Sequence, residues 1–200
     1  MNIKPTIVSD LGGVIYSFSK SFNPVEHEDN FVATLSRYSK NYPKYKQVLE
    51  NYNNGNLRLA LDIEKEAVIK GVNNQGNTEG ILPLYFNLDA VKKMLSNTSK
   101  FLTIIVSTSR KETSLAILKE SFTKAGLDKK QINNITSKFE IYDMSQFGSK
   151  KDSKAWKQIL KNYQKIVGIV EDSEKNLAAA FQAAVELKQN PKTSLVMIDF

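Results

Sequence analysis

The chain contains no cysteine, which removes disulfides, thiolate metal sites and a cysteine nucleophile from consideration. It has a single histidine, His27, set among Glu26, Glu28 and Asp29. A Ser-His-Asp triad or a multi-histidine zinc site is correspondingly disfavoured. No apolar run approaches the roughly 18 residues of a membrane span, and the opening MNIKPTIVSD lacks the pattern of a signal peptide. These absences predict a cytoplasmic protein with no transmembrane segment, while leaving open a secretion route that needs no such signal. Internal repeats and long Lys/Arg blocks are also missing. The net charge of +7 comes from 28 Lys and Arg residues spread along the chain, which read as solvated lysine faces. Only the stretch from Tyr38 to Lys46 interleaves aromatic and basic residues as a nucleic-acid surface would. It reads better as an exposed surface, and no nucleic-acid partner is expected. By elimination, any chemistry must rest on carboxylates, hydroxyls and lysines, with or without a hard metal ion.

What is present suits an α/β domain. The 200 residues are 41% apolar, enough for a real core and for one domain with a modest insertion. Thr6-Ile7-Val8 is a first buried strand, ending at Asp10 and followed by the tight-turn pair Gly12-Gly13. About eighty polar, Asn-, Lys- and Tyr-rich residues then read as helices over Val25 to Ser39, Tyr45 to Asn51 and Leu57 to Val72. Asn54-Gly55 and the segment from Asn73 to Gly80 read as turn or loop, and a short helix is expected from Leu88 to Ser96. Strand signals return at Phe101 to Val106, Phe139 to Tyr142, Ile166 to Val170 and Leu195 to Ile198. The helices between them are expected at Lys111 to Ala125, with Gly126 as its stop, Lys151 to Tyr163 and Glu174 to Lys188. Strands alternating with helices predict a Rossmann-like, doubly wound parallel sheet. Such sheets bind ligands beyond the carboxyl ends of their strands. Asp10, Ser107, Lys150 and Glu171-Asp172 are the polar residues placed there.

Each of these groups alone has an ordinary structural explanation: a turn for Asp10, a helix cap for Ser107 to Ser109, a surface pair for Lys150-Lys151, and a cap with favourable dipole charge for Glu171-Asp172-Ser173. Trp156 reads as core. Taken in order, they resemble the four motifs of the haloacid dehalogenase (HAD) superfamily. TIVSDLGGVI is similar to its first motif, an apolar strand followed by Asp-x-Asp. IIVSTSR resembles the second, a strand ending in Ser or Thr. KKDSKAW is similar to the third, with Lys150 at the lysine position and Lys151 as the alternative, although Lys151 and Ser153 replace two prolines. VGIVEDSEKN resembles the fourth. The resemblance runs from Thr6 to Asn176. It implies an α/β core over 1–16 and 87–200, with a small helical cap, 17–86, inserted between the first two motifs.

The resemblance also implies a Mg²⁺-dependent phosphatase. Asp10 would be the nucleophile that forms an aspartyl-phosphate. Ser107 would donate to a phosphoryl oxygen, and Lys150 would screen charge. Asp10, Glu171, Asp172 and the carbonyl of Gly12 would hold the metal. One position departs from the pattern. The second Asp of the first motif, the general acid, is replaced by Gly12, which cannot protonate a leaving group. Three outcomes follow. Substrates with good leaving groups, such as aryl phosphates or phosphotyrosine in a phosphoprotein, could dispense with the acid. Another group, Tyr16 or a cap residue, could replace it. Or the protein could bind without turnover. Small metabolites such as sugar phosphates are the alternative substrate class. A dehalogenase is disfavoured, since that chemistry does not need the Glu171-Asp172 pair. A response-regulator receiver is disfavoured because its acidic pair lies near the first strand.

Overall fold

The computed structural model describes residues 4–17, 43–73 and 84–195. Strand β1 (Thr6–Ser9) is followed by two short strands, β2 (Tyr16–Ser17) and β3 (Tyr85–Phe86), with helices α1 (Pro43–Asn53) and α2 (Leu57–Asn73) between them in the sequence. Then come α3 (Leu88–Asn97), β4 (Leu102–Ser107), α4 (Lys111–Lys124), α5 (Lys129–Thr136), β5 (Phe139–Asp143), α6 (Ser153–Leu160), β6 (Ile166–Glu171), α7 (Glu174–Glu186) and β7 (Lys192–Leu195). Five strands form one parallel sheet in the order β5-β4-β1-β6-β7. The chain moves outward from β1 through β4 and β5, then returns to β6 on the other side of β1. This reversal opens a crevice at the carboxyl ends of β1, β4 and β6. Among the described residues, no helix is long and apolar enough to cross a membrane.

A parallel sheet covered on both faces needs apolar residues on both, so its strands read as unbroken apolar runs rather than alternations. Strand β4 shows how one run serves two cores. Ile104 and Val106 join Val8, Met144, Trp156, Ile159, Leu160 and Ile169 on one face, against α6 and α7. Ile105 joins Leu11, Ile117, Leu118 and Phe122 on the other. Ala179, Ala180, Ala183 and Ala184 form the buried side of α7, and their small size lets α6 pack closely against it. Trp156 is fully buried, and its indole N–H donates to the Lys150 carbonyl at 2.7 Å.

The segment between the first two core strands is closed at its neck by an antiparallel ladder, Tyr16 opposite Phe86 and Ser17 opposite Tyr85. Its helices pack directly on the core: Val48, Ala60 and Val68 belong to the same apolar cluster as Leu11, Ile105 and Phe122. The Asn54-Gly55 turn joins α1 to α2, with Gly55 at φ 76°. The helix expected at Val25 to Ser39 and most of the loop expected at Asn73 to Gly80 lie outside the described residues, as does His27.

Several elements differ from the sequence reading, which lacks β2, β3 and α5 altogether. The last strand begins at Lys192 and pairs with Gly168–Glu171, and its four residues are exposed. Among the described residues it is held by one ladder, and of the strand expected at Leu195 to Ile198 only Leu195 lies within them. Helix α6 starts at Ser153 because the Asp152 side chain accepts from the Lys154 N–H and caps it. Helix α5 has a short amphipathic stretch, but its capping box, Asp128 with Gln131, is a readable start signal. Gly126, at φ 91°, follows the end of α4 as expected.

The Trp156 indole is the sharpest packing test. Trp156→Phe keeps an aromatic ring in the core but leaves the Lys150 carbonyl without this donor. The expected cost is about 1–3 kcal/mol, read as a lower urea midpoint with an unchanged m-value.

Candidate active site

Four ionisable side chains meet at the carboxyl edge of the sheet. Asp10 follows β1, Glu171 ends β6, Asp172 opens the turn into α7, and Lys150 comes from the loop before α6. Ligand oxygens of Asp10, Glu171 and Asp172 lie within 4.8 Å of one another. The Lys150 ammonium donates to Asp10 Oδ1 at 2.6 Å and to Glu171 Oε1 at 2.7 Å. Asp10 is also fixed by its own backbone: its N–H donates to the Val170 carbonyl at 2.9 Å, and its Oδ1 accepts the Leu11 N–H at 2.6 Å. Asn176, one turn into α7, donates to Glu171 Oε2 at 3.4 Å. Lys151, the alternative lysine of the motif, is exposed, and Lys150 takes the place between the carboxylates.

Three carboxylates against one ammonium leave an uncompensated negative charge in a buried place. The consequence shows in their proton affinities. Burial, then the charge of Asp10, pushes the Asp172 carboxyl up from 3.8 to about 7. The same two causes push Glu171 well above its usual value despite the opposing pull of Lys150. Burial alone would lower the Lys150 ammonium, but the charges of Asp10 and Glu171 outweigh it and hold Lys150 above the usual lysine range. An all-oxygen, net-negative donor set of this kind fits a hard divalent cation such as Mg²⁺.

The two glycines of the first turn behave differently. Gly13 has φ +71°, and a Cβ built there would lie 2.0 Å from Asp172 Oδ2. The Asp172 carboxylate therefore occupies the space a side chain at 13 would need. Gly12 lacks a positive φ, and a Cβ there would meet only the Tyr16 ring and hydroxyl, at 3.9 Å. The missing carboxyl at position 12 is thus not forbidden by the backbone.

Asp10, Gly12, Ser107, Thr108, Lys150 and Asp172 all line one cavity of about 570 Å³. Ser107, at the end of β4, accepts the Ser109 N–H at 3.2 Å. The insertion supplies the cavity's apolar wall: Val48, Tyr52, Leu57, Ala60 and Leu61, facing Tyr16 from the core. It also supplies a carboxylate, Glu64, which is buried and accepts from the Ser109 hydroxyl at 3.4 Å. Burial, and next to it the charge of Asp143, raises Glu64 from 4.5 to about 7 against the Ser109 hydrogen bond. Beside it, Arg110 donates to Asp62 Oδ1 of α2 at 2.9 Å, to Asp143 Oδ2 at the end of β5 at 3.2 Å, and to the Arg58 carbonyl at 3.1 Å.

Glu64, Arg110 and Asp143 are absent from the sequence reading. Asp143 carries the signal that marked Asp10, an acid ending an apolar strand. Glu64 carries a subtler one: it falls in the stripe Leu57, Ala60, Leu61, Val68 that would otherwise be the apolar face of α2.

No family model matches the chain, and no curated protein matches it in sequence. Solved structures match in fold. The UTR4 protein of Saccharomyces cerevisiae superposes with a TM-score of 0.57 at 14% identity, over 96% of this chain and 89% of that one. A dehalogenase superposes with a TM-score of 0.50 at 16% identity, over 92% of this chain and 83% of that one. These likenesses show the fold alone: a doubly wound parallel α/β sheet with flanking helices, shared with both structures.

Two measurements probe the charge balance. The folded Asp172 holds its proton up to about pH 7, whereas the unfolded chain releases it near 3.8. Across that window the native state binds more protons, so stability contributed by this group falls as pH rises and the loss is complete above about pH 7. Magnesium should therefore raise the melting temperature strongly at pH 8 and little at pH 5, read by scanning fluorimetry. Separately, Gly13→Ala should cost at least the roughly 1–2 kcal/mol of a left-handed alanine and weaken magnesium binding in calorimetry. Gly12→Ala should be close to neutral in stability.

Proposed function

We propose that the chain is a magnesium-dependent phosphomonoester hydrolase acting through a phosphate covalently held on Asp10. The observation that supports this most is that Lys150 bonds both Asp10 and Glu171 while Asp172 brings a carboxylate oxygen within 4.8 Å of theirs, with Asp10, Lys150 and Asp172 lining one cavity. Asp10, Glu171, Asp172 and the Gly12 carbonyl would hold the metal, which when bound would neutralise charge on the nucleophile and the phosphoryl group. Asp10, fixed by the Leu11 N–H and by Lys150, attacks phosphorus. Ser107 and the backbone N–H groups around Leu11 to Gly13 and Thr108 donate to the phosphoryl oxygens. Lys150 shifts from pairing the carboxylates to sharing its charge with the phosphate.

The substrate reading follows from position 12 and from the wall. With no carboxyl at 12, the departing oxygen must leave with much of its negative charge. A phenol with a pKa of about 10 tolerates this far better than a sugar hydroxyl. The side of the cavity built by Tyr16, Val48, Tyr52, Ala60 and Leu61 would take an aromatic ring. Aryl phosphates, including phosphotyrosine in a phosphoprotein, are accordingly favoured over small sugar phosphates. On this reading residues 17–86 form a cap that shapes access to a core made of 1–16 and 87–200. The spread of basic residues gives no reason to add a nucleic-acid partner, and the cysteine-free chain suits a reducing, cytoplasmic setting. A catalytically inert binding domain is the second reading, carried by the same Gly12. A screen of phosphorylated substrates with magnesium separates the two.

Asp10→Asn should abolish hydrolysis of an aryl phosphate while circular dichroism remains unchanged, since the amide keeps the shape but not the attacking charge. In the wild type, kcat/KM should fall steeply as leaving-group pKa rises. Gly12→Asp should fold, because only Tyr16 stands near the added carbon. It should accelerate alkyl phosphates preferentially, by up to roughly 10²-fold. A flat leaving-group dependence with chemistry rate-limiting would remove the basis for the aryl preference.

A further inference from the structure

A good leaving group dispenses with the acid in the first half of the reaction, but not with the base in the second. Water must still lose a proton as it attacks the phosphate on Asp10, and Gly12 cannot take it. We infer that Glu64 of α2 is the general base for this step, an assignment that rests on the phosphatase reading above. Glu64 lines the same cavity as Asp10, Ser107 and Lys150. Its Oε1 meets the Ser109 hydroxyl, and the Ser109 N–H meets Ser107, the phosphoryl donor. Its Oε2 is buried and has no hydrogen-bond partner among the described residues. A buried carboxylate oxygen without a partner is costly, and uptake of a proton relieves that cost. Helix α2 thus brings a carboxyl to the lining of the cavity that Asp10, Ser107 and Lys150 also line.

The step balances. The Glu64 carboxylate takes one proton from water while the water oxygen bonds to phosphorus. The bond between phosphorus and the Asp10 oxygen breaks, and its electron pair returns to Asp10 as carboxylate. Inorganic phosphate leaves, and Glu64 passes its proton to solvent. Burial places the Glu64 carboxyl at about 7, close to the working pH, where a base is most effective. The charged groups around it are Asp62 on its own helix, Arg110 on the loop after β4, Asp143 at the end of β5, and Asp10 and Lys150 across the cavity. On α1, Lys46 and Glu50 pair at the surface.

The test is stopped-flow hydrolysis of para-nitrophenyl phosphate with magnesium, combined with acid-quench detection of phosphate on Asp10. Wild type and Glu64→Gln should both release a burst of nitrophenol near one equivalent. The steady-state rate of Glu64→Gln should then fall about 10²–10³-fold, with labelled Asp10 accumulating. The wild-type rate of label loss should rise with pH through about 7, and this limb should vanish in Glu64→Gln. A side chain that merely filled space would leave the burst, the steady state and the pH profile unmoved. Equal turnover in the two proteins overturns the inference, as does a burst lost together with turnover. If Glu64→Gln fails to fold, Glu64→Asp takes its place: it should keep the burst and slow label loss, and label loss at the wild-type rate overturns the inference. Absence of any nitrophenol release by the wild type overturns the phosphatase reading, and this inference with it.

Discussion

A lysine buried between two carboxylates sets the terms for everything around it. Lys150 bridges Asp10 and Glu171 with short contacts, and none of the three is appreciably exposed. Taking such charges out of water costs several kcal/mol per ion, and mutual attraction offsets this only where the geometry is held closely. The fold supplies that hold from three directions. The Val170 carbonyl and the Leu11 N–H position Asp10, the end of β6 places Glu171, and the Trp156 indole fixes the Lys150 backbone. The core packing beneath the sheet is therefore also the device that keeps the ammonium in register.

The bridge does not close the charge balance, because Asp172 adds a third acid. Its carboxylate lies in the gap left by the missing side chain at Gly13. A glycine is required there for two separate reasons, the left-handed backbone and the carboxylate in its place. The neighbouring glycine is required for neither. Two adjacent identical residues thus have opposite standing: one is a demand of the turn, the other is not.

What the sequence made legible follows from the physics of parallel sheets. Their strands are unbroken apolar runs, so the residue at which a run ends is conspicuous, and Asp10, Ser107 and Glu171 all stand at such ends. The last strand was read from its apolar run at Leu195 to Ile198, and its described part, Lys192–Leu195, carries no such run because all four residues are exposed. The neck strands β2 and β3 escaped because two residues carry no periodicity. The motif put Lys150 first and Lys151 second, and the loop delivers Lys150 inward and leaves Lys151 in solvent. Glu64 was hidden by its context, one acid among several in LDIEKE, and only its place on the apolar stripe of α2 sets it apart.

The insertion is tied to the sheet by a side chain the protein uses sparingly. Of 28 basic residues only three, Arg37, Arg58 and Arg110, are arginine, and Arg110 reaches an acid on α2, an acid on β5 and a backbone carbonyl together. A planar fork of five donors can span acceptors on separate elements, whereas an ammonium concentrates its donors at a single point. Lysine, the cation with which this chain covers its surface, is therefore not a synonym at position 110. In a sequence whose positive charge is otherwise nearly all one residue type, the exception marks a joint between two parts of the molecule.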